Sequence, residues 1–495
     1  MKPSPSIRWA LLGISYCLML VPNQLNGQSQ LTQDLQQRLI ARKKGAKSTA
    51  STSTAKPLVP AASKSNSSQP VGEKSTSGES GGSPDPRSTG IGPSNSPQAF
   101  SEALAVAVAS NSLTAFNDLI SWKTILQRST RSLSGKWVNE FKGEFQKQLN
   151  DKLSLGAQII SSVQAGGSYD FLRLKKTQDT VVAVFRMILP GGRGVNYHEY
   201  ALAKTSEGKV LASDIYIFLA GERLSDSIRR NLVLSIDEKE KSTIRLPTPD
   251  QLLLNSVDTI KKLTESLSKN DAENARRWIM ELPEAVRSDK AIQSLTLRTY
   301  SNSTSFPQIS DRIRRSNPED VFMDMLAIDI LASQKKYDDA MNAIDRISRR
   351  VGGDPHLDIL KGRMHLRKGE KQIARKIISD AIMLDDGLLS GYWNLISFSL
   401  QDKNHKETLR LLKLIDRKFK IKFRDLREIP SYASFINTPE FKDWDRQQKI
   451  GQTTSGEKAP TSQPKVDVKS SPKTTSGKRT ALRGKQISNI KRSRN

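Results

Sequence analysis

The stretch QKKYDDAMNAIDRI, Gln334–Ile347, reads as the second helix of a helical hairpin. A single amphipathic hairpin decides nothing about a fold, so the question is whether the chain repeats it. Ala340 of this stretch aligns with Ala374 of KGEKQIARKIISDAI and Thr408 of DKNHKETLRLLKLI, at offsets of 34 and 34 residues. The same register lines up Ile344, Ile378 and Leu412, and also Ile347, Ala381 and Ile415. Three small or apolar columns therefore recur without a gap. A plain helical bundle has the same periodicity inside each helix but imposes no fixed offset between helices, so the pattern favours a solenoid of stacked hairpins.

One helix earlier, Ile328, Gly362 and Ile396 fall into the same register, with Gly362 as the small residue where paired helices approach closely. The spacing resembles the tetratricopeptide repeat (TPR), whose period is 34 with small residues in these columns. The resemblance covers Val321–Phe423, with departures: Ala327 and Lys361 stand where the family favours Leu, and the loop RRVGGDPH carries its proline late. It implies a concave groove lined by the first helix of each pair, at Asp329, Arg363, Trp393 and Ser397. An Arg and a Trp facing a groove suit an extended peptide; the alternative is that Trp393 is core and Arg363 a solvated charge. TPRs that clamp a terminal carboxylate use Asn with Lys or Arg here, and Asp329 and Ser397 depart from that pattern.

Upstream, TPDQLLLNSVDTIKKLTESLSKNDAENARRWIMELP reads as another hairpin, with Thr248 capping and Pro249 in the first turn. A degenerate pair follows up to Asp320. Downstream, NTPEFKDW offers Thr438 as N-cap, Pro439 at the first helical position, and Phe441 and Trp444 on one face. That is the start of a capping helix, which a solenoid needs to cover its last apolar surface.

Ahead of the repeats the pattern is different. Ser96 and Pro97 open an Ala-rich helical run, and Trp137, Phe141, Phe145 and Leu149 recur four apart. The period then changes to two in YDFLRLKK, TVVAVFRMIL, VNYHEYALAK and VLASDIYIFL, four strands joined by short polar or Gly-rich links. Helices followed by an antiparallel meander predict an α+β domain with helices on one sheet face. The order resembles the NTF2-like or cystatin-like fold, and LPGGRGVNYHEYALAKTSEGKVLASDIYIFLAGERLSDSIRR resembles a segment of exported bacterial proteins that join such a domain to helical repeats. Some NTF2-like enzymes place a His and an Asp in the cone of the sheet. The resemblance makes His198 and Asp214 the alternative catalytic candidates, against a cross-strand hydrogen bond or a surface histidine.

Composition removes several chemistries. Cys17 is the only cysteine and lies in an N-terminal stretch with a basic start (Lys2, Arg8) and a short apolar run, Trp9–Val21, which reads as a signal peptide over 1–27. The mature chain then has no thiol or disulfide chemistry. His198, His356, His365 and His405 are scattered, so neither a metal nor a cofactor is expected. The net charge of +27 is concentrated partly in the tail, where eleven Lys or Arg face two acids from Gly451 onward. That tail suits weak, salt-sensitive contact with anionic polymers and no specific nucleic-acid readout.

The expected organisation is a signal peptide (1–27), a disordered Ser/Thr/Lys/Pro-rich linker (28–95), an NTF2-like α+β domain (96–235), a TPR-like helical repeat domain with its capping helix (248–449) and a disordered basic tail (450–495). The expected role is a non-catalytic, exported scaffold whose groove holds a protein or extended peptide, with no transmembrane segment in the mature chain. The alternatives are a small-molecule pocket in the sheet domain and nonspecific polyanion binding by the tails.

Overall fold

A computed structural model describes residues 94–453 apart from 150–153, 193, 237–240, 242–243, 301–302, 319, 422 and 424. The expected signal peptide and nearly all of the expected linker and tail lie outside the described residues. Those up to Lys442 belong to one compact unit; a second begins at Asp443.

Five helices come first: α1 (Pro97–Ala109), α2 (Leu113–Asp118), α3 (Trp122–Ser129), α4 (Lys136–Gln148) and α5 (Leu155–Gln164). Ser96 caps α1, its hydroxyl accepting from the Ala99 amide at 3.1 Å ahead of Pro97. An antiparallel meander follows in the order β1 (Ser168–Lys176), β2 (Val181–Ile188), β3 (Val195–Lys204), β4 (Val210–Ile217) and β5 (Glu222–Arg223). The sheet thus has five strands where the sequence pattern predicts four. The fifth is two residues long, too short for alternation to register, and it pairs with Tyr216 and Ile217 immediately before α6 (Leu224–Leu234).

Alternation gives this sheet two apolar faces. Ala183, Phe185, Tyr200, Ile215 and Ile217 pack with Phe100, Leu104 and Phe116 of the first helices. The opposite face, with Val182, Val184, Val195, Tyr197 and Phe218, packs on three helices of the C-terminal half. Those three are α13 (Val321–Ser333), α14 (Tyr337–Val351) and α15 (Pro355–Lys368). Between sheet and repeats run α7 (Thr248–Asn255), α8 (Val257–Ser268), α9 (Ala272–Glu281), α10 (Glu284–Arg287), α11 (Lys290–Tyr300) and α12 (Phe306–Arg315). Thr248 is the first helical residue of α7 and not its cap; Pro247 precedes it and no side chain caps the amides.

The repeats continue with α16 (Lys371–Leu384), α17 (Leu389–Gln401) and α18 (His405–Phe419). The first helices of the three hairpins begin at 321, 355 and 389 and the second at 337, 371 and 405, each step being 34 residues. Each helix packs against its chain neighbours. The turn inside each hairpin is the same turn: Lys335, Gly369 and Lys403 all take left-handed backbone, and the next residue's amide bonds to a carbonyl five positions back. Gly362 and Gly391 carry close approaches, because a Cβ would stand 2.6 Å from Ile378 at the first and 2.6 Å from Ile382 at the second. Thr408, the polar member of the alanine column, is accommodated by a 2.8 Å hydroxyl contact with Ser399. After a pair of short 3₁₀ turns, α19 (Pro439–Thr453) opens with the Phe441 amide donating to the Thr438 hydroxyl at 3.3 Å.

Sheet and hairpins are joined by charge as well as by apolar contact. Arg186 of β2, 3 % exposed, donates to Asp354 at 2.7 Å, Asp385 at 2.9 Å and Asp170 at 3.0 Å. Asp354 and Asp385 sit in successive loops between hairpins, so one guanidinium ties two loops to the sheet. The Tyr197 hydroxyl adds a 2.6 Å bond to Asp354, which also accepts the His356 amide at 3.0 Å as the N-cap of α15. Arg173 and Lys175 of β1 donate to the last carbonyls of α14, at Gly352, Gly353 and Arg350. Cations at a helix C-terminus complement its dipole.

Removing one partner from a buried ion cluster leaves the others uncompensated, which costs about 3–5 kcal/mol. Arg186→Met is expected to lower the unfolding free energy by about that amount in urea titrations. A loss below about 1 kcal/mol, the value of a surface pair, would show that the cluster is dispensable.

Candidate functional site

The two sets of candidate residues occupy different surroundings. His198 lies on β3 and is 1 % exposed. Its Nδ1 is 2.9 Å from the Tyr169 hydroxyl, which in turn is 2.5 Å from the Tyr200 hydroxyl. Its Nε2 is 3.1 Å from the Asn196 amide nitrogen.

The proton positions in this chain follow from backbone geometry. The Asn196 side-chain oxygen accepts from the Tyr197 amide at 2.9 Å and the Leu219 amide at 3.0 Å, so its NH₂ points at His198. Nε2 must then accept, Nδ1 carries the proton, and Tyr169 receives it and donates onward to Tyr200. Burial without a carboxylate partner lowers the His198 pKa to about 3, keeping the ring neutral, and burial pushes Tyr169 and Tyr200 upward.

Asp214 is 2 % exposed but belongs to another network. It accepts from the Ser225 hydroxyl at 2.6 Å, the Ser225 amide at 3.2 Å, the Ile215 amide at 2.9 Å and Arg128 at 3.2 Å. Strand register sets His198 opposite Ile217 and Asp214 opposite Ala201, which sends the two side chains to opposite faces of the sheet. The fold does not bring them together as a dyad. Among the described residues no group of three His, Cys, Asp or Glu side chains converges as a metal site requires, and no helix is long and apolar enough to cross a membrane.

On the hairpins, Asp329 (α13), Arg363 (α15) and Ser397 (α17) stand 34 residues apart, at equivalent positions of successive first helices, and all three are half-buried. Trp393, one turn before Ser397, is 4 % exposed and packs edge-on against Phe423, with ring centroids 6.2 Å apart. It belongs to the packed interior. Burial raises the Asp329 pKa against the pull of Arg363 and Arg367. Burial, reinforced by the like charge of Arg367 and opposed by Asp329, lowers the Arg363 pKa to about 10.

Sequence patterning did not single out Arg186, His356 or Arg367. Arg186 had a signal: one charge inside the apolar run Val181–Leu189, which burial forces into a pair. His356 had none, since its burial comes from the sheet docking on the loop before α15. Comparison of the chain with protein-family models, curated proteins and solved structures gives no match.

Two buried neutral histidines set a pH dependence. His356 is lowered to about 4, burial being the main cause, with Arg186 and Arg363 opposing protonation and Asp354 favouring it. Both histidines bind protons more readily in the unfolded chain, so their contribution is complete above about pH 6.5 and is lost as pH falls toward 4. The slope is about 1.4 kcal/mol per pH unit for each ring. Urea unfolding between about pH 7 and about pH 4.5 should weaken more steeply in the wild type than in a His198→Gln/His356→Gln variant. Equal slopes would place the acid sensitivity elsewhere.

Proposed function

We propose that this chain is a non-catalytic, exported scaffold in which a TPR-like superhelix of hairpins, carried on an NTF2-like α+β module, presents a groove to a protein or extended peptide. The observation that supports this most directly is the constant 34-residue step shared by helix starts, left-handed turn residues and the column Asp329, Arg363, Ser397. Hairpins stacked at a constant step make an extended surface without a reactive centre. The strict repetition of a half-buried polar position on one helix of each pair is what a binding face provides and an interior cannot.

The alternative reading, small-molecule chemistry around His198 and Asp214, requires a proton that can move toward a substrate. Both nitrogens of His198 are engaged inside the sheet's core, and Asp214 is saturated by Ser225, Arg128 and a backbone amide. The exported location rests on the N-terminal sequence alone, and polyanion contact by the tail is a secondary property of charge.

A bulky side chain in the groove should block capture whatever the partner's charge. Ser397→Trp is expected to abolish retention of envelope proteins that bind the immobilised full chain. Lys376→Trp, on the exposed face of α16, should leave retention intact, with helicity by circular dichroism verifying that both variants fold. Retention unaffected by Ser397→Trp would remove the groove from the proposal.

A further inference from the structure

The second helices of the three hairpins do not present the same surface. At equivalent exposed or half-buried positions, α14 carries Asp338, Asn342, Asp345 and Arg349, and α16 carries Gln372, Lys376, Ser379 and Met383. On α18 the same four positions are Lys406, Arg410, Lys413 and Arg417, all exposed. The repeat asks these positions only to face away from the core, which any polar residue satisfies. The sets on α14 and α16 are mixed, whereas the set on α18 is entirely basic. Steps of four, three and four residues put its cations on one stripe about 16 Å long, and Lys420 continues the stripe at the C-cap. Arg410 is paired with Glu407 at 2.7 Å, but Lys406, Lys413, Arg417 and Lys420 enter no ion pair among the described residues.

Alongside the stripe lies α16. Lys371 and Arg375 near its start pair with Asp402 ahead of α18, and Asp386 just after its end pairs with Lys418 near the end of α18. The two helices therefore run side by side in the same direction. Where α18 is cationic, α16 is apolar: Ile373, Met383 and Leu384 are 48 %, 78 % and 61 % exposed. They are three of the five large hydrophobic side chains left exposed among the described residues, so this helix concentrates what the rest of the fold covers. Met383 and Leu384 occupy the positions that Arg417 and Lys418 take one repeat later. The charge of Lys376 on this helix is met by Asp380 at 2.6 Å.

We propose that this face of α16 and α18 is a peripheral contact for an anionic lipid surface, with the α18 stripe over the headgroups and Met383 and Leu384 at the acyl boundary. Cations beside a negatively charged bilayer gain from its surface potential, and apolar side chains protruding next to them leave water when they enter the boundary layer. A soluble polyanion would satisfy the stripe and leave Met383 and Leu384 in water. The outward positions of both helices also lack an aromatic ring on which nucleic-acid bases could stack. The column Asp329, Arg363, Ser397 belongs to the first helix of each hairpin, so a chain held by its second helices keeps that groove open. The lipid contact does not depend on the groove having a partner.

The test uses the full chain carrying Cys17→Ser and Met383→Cys, with an environment-sensitive fluorophore on the introduced thiol. The chain is mixed with vesicles of phosphatidylcholine alone or of phosphatidylcholine and phosphatidylglycerol in equal parts. The basic tail will draw the chain to anionic vesicles in every variant, so the label reports the face itself. Its emission should shift to the blue with the phosphatidylglycerol vesicles and stay unchanged with phosphatidylcholine alone. The same label introduced by Lys261→Cys on α8 should not shift with either. In the unlabelled chain, Lys413→Gln/Arg417→Gln should weaken partitioning onto the anionic vesicles about tenfold at moderate salt. Met383→Ser/Leu384→Ser should weaken it several-fold and leave binding of long-chain polyphosphate unchanged. Sedimentation with the anionic vesicles without a shift of the label at 383 would overturn the inference and assign the contact to the tail. Loss of polyphosphate binding in Lys413→Gln/Arg417→Gln, with vesicle binding indifferent to Met383→Ser/Leu384→Ser, would overturn it in favour of a soluble polyanion.

Discussion

A guanidinium buried to 3 % exposure cannot remain without counter-charges, and the architecture of this chain is arranged around meeting that condition for Arg186. Its three carboxylates come from β1 and from two loops more than 160 residues away along the chain. Satisfying them requires the sheet to sit against the ends of the hairpins where α15 and α17 begin. The same contact lets Arg173 and Lys175 meet the carbonyl end of α14 and lets Glu199 pair with Arg350 at 2.6 Å. Buried ion pairs add little net stability against an apolar alternative, but a wrong docking would strand several charges at once. The cluster thus selects one arrangement of sheet and hairpins.

The sheet's two apolar faces make the same demand in a nonpolar form. With helices α1–α5 on one side only, Val182, Val184, Val195, Tyr197 and Phe218 would meet water; α13, α14 and α15 cover them. An α+β domain and a repeat domain that look separable along the chain therefore share a core. The hairpins gain in return. Repeat stability is a sum of unit terms and neighbour contacts, so the first units of an array are its weak end. Here those units are buttressed by the sheet.

Arg363 is held by a helix that is capped by Asp354, packed through Gly362 on Ile378 and anchored at its start to Arg186. Ordering of α15 is thus completed within the chain. His198 offers the contrast. It is far more deeply buried, and Tyr169 and Asn196 take up its two nitrogens, so its polarity ties β1 to β3 across β2.

The amino-acid sequence by itself determined the elements and their order. The 34-residue columns located the hairpins, the change of period from four to two located the sheet, and Ser96–Pro97 and Thr438–Pro439 marked helix starts, because these signals are local and carried by neighbouring residues. Tertiary structure alone decided which charges are buried and what they meet. The partners of Arg186, the opposite faces of His198 and Asp214, the burial of Trp393 under Phe423 and the attraction of Arg363 to Asp329 depend on contacts between residues distant along the chain. Periodicity within an element shows that a face will be covered; it does not say by what. The run Val181–Phe185 was apolar on both parities, a mark of two covered faces, yet only docking against α13, α14 and α15 identified the second cover.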